Sequence, residues 1–249
     1  FRRDSRTAID YDVVLESVIQ LTQVIPEAAS FVSGNGHLKG ETMEETGVAR
    51  SYRAKSLEEQ QAAYDSWAKQ YEVDLCAMGY RIPAVLAAVS TRFIPSTAAP
   101  ILDAGCGGGI QAEALIMLGF GPITGIDLSE GMLEVARAKG IYSDLRQMTL
   151  GEKLDFADDT FDAIISSGTI TPRHAPPSSF DGLIRVAKPG APIVFSLRDD
   201  PAQEPEYPEA VKRLTDAGLW REVFRTESFQ GMPYGEPQIT HRVHVYEVS

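Results

Sequence analysis

Two cysteines, Cys76 and Cys106, are all that 249 residues contain, which excludes a disulfide framework and a paired-cysteine metal site. A reducing compartment is then the default, so a cytoplasmic location is expected, with an organelle left open. The chain opens at Phe1 rather than methionine, so a trimmed piece is expected, and Arg2, Arg3 and Arg6 are what a removed targeting segment would leave. Basic charge is scarce as well: 23 Lys and Arg stand against 35 Asp and Glu, a net charge of −12. An enzyme acting on nucleic acid needs a basic stripe to displace counterions from phosphates, so nucleic acid is excluded as a partner. No apolar run approaches the ~20 residues of a membrane span, which argues against a membrane partner. The Gly-x-Ser-x-Gly nucleophile elbow, the H-E-x-x-H zinc helix and the D-x-D-x-D-G calcium loop are missing too, and no metal is expected. What remains is a small neutral, cationic or singly anionic substrate, handled by a soluble monomer or homodimer.

The hydrophobic share, 43%, is enough for one large core with an appendage. Apolar positions Val14, Leu15, Val18, Ile19, Leu21, Val24 and Ile25 have helical spacing that Pro26 ends, and a polar stretch to about Ser51 reads as loop. This segment, 1–55, is set apart as an N-terminal helical extension serving as lid or docking piece. Ser56-Leu57-Glu58-Glu59 is a capping box opening a helix to about Met78, and a second helix spans about Ile82 to Phe93. From Ala99 onward, strands alternate with helices: strands near Ile101, 123–126, 142–148, 161–166 and 193–197, helices at 111–118, 131–138, 179–187 and 207–217. That order predicts a parallel sheet with helices on both faces. Residues 220–229 and 239–248 are two extended segments without a helix between them, an antiparallel hairpin at one end of the sheet.

The densest chemistry lies in Ile101-Leu102-Asp103-Ala104-Gly105-Cys106-Gly107-Gly108-Gly109, a strand running through a glycine turn into a helix. Glycines let the backbone approach a ligand, and a helix N-terminus offers N–H donors. Asp127 ends the next strand, where a carboxylate can accept the hydroxyls of a ribose. A dinucleotide fingerprint started at Gly105 needs glycine at 110, where Ile110 stands. Asp103 beside the loop would repel a pyrophosphate but suits the amino group of a cationic amino acid. S-adenosylmethionine has that group and no phosphate; a nicotinamide site and purely structural glycines are the alternatives.

The same residues, Leu102 to Gly109, resemble the first motif of class I S-adenosylmethionine-dependent methyltransferases. Asp159-Thr160-Phe161-Asp162-Ala163-Ile164 resembles that family's fourth strand and Arg185 to Gly190 its turn into strand five. Within the family, Tyr64 to Tyr71, Gly168 to Pro177 and Phe195 to Asp200 are similar to the methyltransferase-like 27 (Williams–Beuren region 27) group, although Glu72 and Ala191 depart from it. The likeness covers about residues 60–249. It implies an α/β Rossmann-like sheet of seven strands, the last antiparallel, forming a methyltransferase domain over 56–249. The implied transferase moves the methyl of S-adenosylmethionine to an O, N, S or C nucleophile of a small molecule and leaves S-adenosylhomocysteine. It also implies the cofactor contacts. Asp103, Gly105, Cys106 and Gly107 would hold the amino-acid end and Asp127 the ribose. Leu128, Thr149 and Leu150 would flank the adenine, and Ser167 and Gly168 would border the transfer site. Aminopropyl transfer on the same fold, or a cofactor-binding partner without activity, are the alternatives.

Tyr64, Trp67 and Tyr71 stand at i, i+3 and i+7 of the capped helix, so they share a face that can cover the cationic donor or simply pack as core. His174, after strand four, is a candidate general base. Thr169 and Arg198 are candidate substrate contacts, Arg198 as a carboxylate clamp unless Asp199 or Asp200 pairs with it. Arg242 and His244 fall on one face of the last strand and His241 on the other, with no metal-ligand spacing.

Overall fold

A computed structural model describes residues 47–201 and 203–249. The expected helix at 8–25 and the loop before residue 47 lie outside the described residues. The first element, α1 (Gly47–Arg53), is a helix where the polar composition suggests loop. It packs on the capped helix, and Gly47 lies flat on the Trp67 indole where an added Cβ would sit 2.1 Å from the ring. Tertiary contact thus overrides a weak local signal.

Helix α2 (Leu57–Ala77) begins as the capping box predicts: the Ser56 hydroxyl accepts the Glu59 N–H, and the Glu59 carboxylate accepts the Lys55 N–H. Helix α3 (Ile82–Phe93) has Pro83 in its first turn. The alternating region follows: β1 (Ile101–Ala104), α4 (Ile110–Met117), β2 (Ile123–Asp127), α5 (Glu130–Lys139), β3 (Asp144–Gln147), β4 (Ala163–Ser166), α6 (Ser179–Val186), β5 (Pro192–Arg198) and α7 (Glu206–Asp216). It ends in β6 (Trp220–Arg225), the short β7 (Phe229–Gln230) and β8 (Thr240–Val248). The third and fourth strands are shorter than their apolar runs. Phe161 makes only an isolated bridge to Ala187, and Tyr142 precedes β3 with its ring turned under the glycine loop.

Strands lie in the order β3-β2-β1-β4-β5-β8-β6, with β7 also on β8. The pairs from β3 to β5 are parallel, and β8 runs antiparallel to both β5 and β6. This is the Rossmann-like methyltransferase sheet expected, with the two-residue β7 added. The hairpin expectation is refined in one respect: the returning strand inserts between β5 and β6.

Period-2 alternation divides the core between the faces. Leu102, Ile164, Ile193 and Phe195 pack toward α6 and α7, while Ile101, Ile123, Ala163, Ile165 and Val194 pack toward α3 and α4. The order reverses at β1, which has β2 on one side and β4 on the other, and a crevice opens beyond the strands' carboxyl ends at such a point. Among the described residues no single helix is long and apolar enough to cross a membrane.

Helix α2 is fastened over that crevice by polar contacts. Asp65 Oδ1 accepts the Ser129 hydroxyl at 2.6 Å and the Gly131 N–H at 2.8 Å, an external cap on α5. Glu72 accepts Lys139 at 2.6 Å, and Gln60 donates to the Arg173 carbonyl at 2.8 Å. Asp65→Ala is expected to cost about 1–2 kcal/mol. A lower urea midpoint, with faster amide exchange in α2 than in the sheet, is the readout; an unchanged midpoint would show that the contact contributes nothing.

Candidate functional site

The turn after β1 folds its own N–H groups inward. Those of Gly105 and Cys106 both donate to the Ile126 carbonyl at 2.9 Å, and that of Gly107 donates to Asp127 Oδ2 at 2.8 Å. Gly109 N–H closes back on the Cys106 carbonyl. The expectation of free donors at this helix start is therefore corrected for these four residues. A pyrophosphate would need those groups; a ligand arriving with an ammonium does not. Gly105 has φ +75°, and an added Cβ would lie 2.2 Å from Thr169, so a side chain there meets both strain and collision.

Asp103 is fully buried beneath the loop, accepting Gln111 Nε2 at 2.8 Å and the Tyr142 hydroxyl at 2.7 Å. It does not line the cavity, which corrects the expectation of direct contact with an amino group. As the third residue of a four-residue strand inside the sheet, its carboxylate has only these side chains to meet. Burial raises its pKa to about 7, against the lowering effect of the two hydrogen bonds. Cys106 is buried as well, and desolvation holds its thiol protonated.

A cavity of about 820 Å³ opens over the turn. Gly105, Cys106, Gly107 and Asp127 form one wall, and Leu128, Met132, Met148, Thr149 and Leu150 an apolar slot beyond it. Ser167, Gly168 and Thr169 lie at the opposite end, after β4. Asp127 Oδ1 accepts the Ser129 N–H at 2.9 Å, so both its oxygens are oriented by backbone, each with a further lone pair to offer. Burial raises its pKa despite these bonds.

The α2 stripe only partly reaches this cavity. Tyr64 and Tyr71 line it, and Trp67 does not. At 3.6 residues per turn, i+7 nearly eclipses i, whereas i+3 is rotated about 60° away. Trp67 is 3% exposed, donates its indole N–H to Asp74 at 2.7 Å and faces a second cavity, which corrects its expected cofactor contact. Tyr80 was not indicated by any pattern. Its hydroxyl lies where a Cβ on Gly168 would be (2.3 Å), and burial pushes its pKa up to about 12.

The second cavity, about 620 Å³, shares Tyr64, Tyr71, Tyr80, Gly168 and His174 with the first. Its far side carries Tyr52, Arg198, Glu236 and His241. Arg198 is bound bidentately to Asp200, with both contacts at 2.8 Å, while Asp199 takes Arg242 instead. The ion-pair alternative for Arg198 is thus the one the structure shows. His174 Nδ1 lies 3.2 Å from the Pro172 carbonyl. A carbonyl only accepts, so Nδ1 carries the proton and Nε2 keeps its lone pair. Burial lowers the pKa of His174, so the ring is neutral at pH 7.

Comparison with known proteins agrees with this geometry. The family model described as a methyltransferase domain matches residues 102–195. Methyltransferase-like protein 27 from Homo sapiens is 36% identical over 164 residues, 63% of this chain and 66% of that protein. A ubiquinone biosynthesis O-methyltransferase from Alkalilimnicola ehrlichii is 36% identical over 100 residues, 39% of this chain and 40% of the relative. The matches therefore span two thirds or less of these relatives' lengths. A solved S-adenosylmethionine-dependent methyltransferase from Thermotoga maritima superposes with TM-score 0.55 at 17% identity, over 73% of this chain and 97% of the other, a likeness of fold alone. Residues 102–195 therefore carry the methyltransferase domain that the family model describes, on the sheet that the solved structure shares. Over 164 residues the chain is similar to methyltransferase-like protein 27.

The buried carboxyl of Asp103 makes a stability prediction with a definite sign. Its folded pKa, about 7, exceeds the unfolded value of 3.8, so the native state holds the proton more tightly. Stability from this group is full below pH 4 and is lost as pH rises toward 7. Asp103→Asn can keep Gln111 as donor and offer its own amide to the Tyr142 oxygen. It is expected to raise Tm at pH 8 by an amount corresponding to a few kcal/mol, with the gain fading toward pH 4. An equal Tm difference at both pH values would refute the assignment.

Proposed function

We propose that the chain transfers the methyl of S-adenosylmethionine to a nucleophile on a small molecule, residues 56–249 being the transferase domain. The carrying observation is the pair of adjacent cavities, one over the glycine turn and one beside it, with Gly168, Tyr80 and His174 in the lining of both. Of the N-terminal segment, the described helix α1 is read as part of a cover, and its Tyr52 lines the second cavity. The acidic charge, −12 over the chain, favours a small acceptor over nucleic acid.

The donor fits the residues present. The turn from Gly105 to Gly107 receives the amino-acid end, and Asp127 accepts the ribose hydroxyls. Leu128, Thr149 and Leu150 clamp the adenine, with Met132 and Met148 filling the same slot. Ser167, Gly168 and Thr169 border the sulfonium, and the faces of Tyr64 and Tyr71 are suited to a cation. When bound, S-adenosylmethionine supplies an already activated methyl on positive sulfur. The protein's remaining tasks are to align the acceptor, exclude water and remove one proton. His174 Nε2 receives that proton, and the Pro172 carbonyl steadies the imidazolium that results.

Calorimetric titration with S-adenosylhomocysteine tests the donor site: micromolar binding, weakened more than about 100-fold by Asp127→Ala, is expected. Absence of binding by the folded chain rejects the proposal. Turnover separates an enzyme from a silent cofactor-binding partner. With an acceptor in hand, His174→Gln is expected to lower kcat by about 10²-fold or more without changing donor affinity. The wild-type rate should hold as pH falls through the ordinary histidine range and decline only below it, because burial lowers the His174 pKa.

A further inference from the structure

The far side of the second cavity is not electrically neutral. Arg198 meets Asp200, whose side chain is 5% exposed, through two parallel hydrogen bonds, so the guanidinium charge is already balanced. Glu236 is then the excess charge. The Tyr52 hydroxyl donates to its Oε2 at 3.2 Å, and burial pushes its carboxyl above the ordinary range. Arg198 attracts Glu236 as well, but one guanidinium serving two carboxylates, Asp200 and Glu236, leaves a net negative charge. Nearby, His241 is 7% exposed and its Nδ1 is buried without a hydrogen-bond partner. Gly231 packs against this edge of the ring, where an added Cβ would sit 2.7 Å from Nδ1. Burial lowers the His241 pKa to about 4, so it adds no positive charge at pH 7. Tyr52, Tyr64, Tyr71 and Tyr80 supply the walls.

Resting on the methyl-transfer reading, we propose that the second cavity is the acceptor pocket and that it selects small amines. The ammonium is anchored at Glu236 among tyrosine faces, and the nucleophilic atom reaches the wall shared with the donor cavity. An anchoring ammonium offers three N–H donors, enough for Glu236 and for the oxygen of the Tyr52 hydroxyl bonded to it. An acceptor anchored by a carboxylate meets Glu236 as a like charge and finds Arg198 already engaged. Of the two roles expected of Arg198 the ion pair is the one observed: its charge holds Asp200 and leaves Glu236 to choose the ligand.

Three probes of similar size separate charge from shape: tyramine (cationic), 4-ethylphenol (neutral) and 4-hydroxyphenylacetate (anionic). Each is titrated calorimetrically into the full chain, with and without saturating S-adenosylhomocysteine. Tyramine is expected to bind about tenfold or more tighter than 4-ethylphenol, with 4-hydroxyphenylacetate weakest. Glu236→Gln keeps an acceptor for Tyr52 and should abolish the tyramine advantage while leaving S-adenosylhomocysteine affinity unchanged. The proposal is overturned if the anion binds as well as the amine, if tyramine shows no binding at millimolar concentration, or if Glu236→Gln keeps the preference. Loss of S-adenosylhomocysteine binding overturns the methyl-transfer reading instead, and the amine preference is still read from the titrations without it.

Discussion

The carboxylate of Asp127 organises the chain's chemistry through two backbone hydrogen bonds. One oxygen accepts Gly107 N–H and the other Ser129 N–H, joining the turn after β1 to the start of α5. Ser129 in turn accepts the Met132 N–H as N-cap and donates to Asp65, which brings α2 across the crevice. Turn, helix start and cover are thus linked through a single acidic side chain at the end of β2. Its charge is costly to bury, and the N–H donors offset that cost. The same donors leave the cavity wall presenting acceptors, which suits a cationic donor and not a nucleotide phosphate.

Most of the sheet was legible in the sequence because each strand is a short apolar run bounded by glycine, proline or a capping residue. The turn Gly105 to Gly109 and Asp127 were legible for the same local reason. Trp67 misled because a helical stripe looks uniform on paper while i+3 and i+7 point in measurably different directions. Asp103 misled because a carboxylate beside a glycine loop suggests a ligand, whereas Gln111 and Tyr142, eight and 39 positions later, consume it. Tyr80, Glu236 and the orphaned nitrogen of His241 carried no signal, since they matter only through neighbours brought together by the fold.

The helix cover and the glycine turn answer to different constraints. Gly105 is fixed by its positive φ and by Thr169, with no side chain to vary. Tyr52, Tyr64, Tyr71 and Tyr80 are side chains on a surface that can be repacked without altering the strand ends beneath. Aromatic rings shared by the two cavities lower the local polarity, and a charge beside them interacts more strongly with its partner.

Insertion of β8 between β5 and β6 gives the molecule a division of labour along its chain. Arg198 ends β5 and His241 lies directly opposite it on β8, so the floor of the second cavity is cut from a single rung of the ladder. The loop from Gly231 to Ile239 that leads into β8 supplies Met232, Glu236 and Ile239 to the same cavity and nothing to the first. A lineage could therefore exchange this one short connection, lengthen it or recharge it, and acquire a new clientele while inheriting the donor apparatus intact.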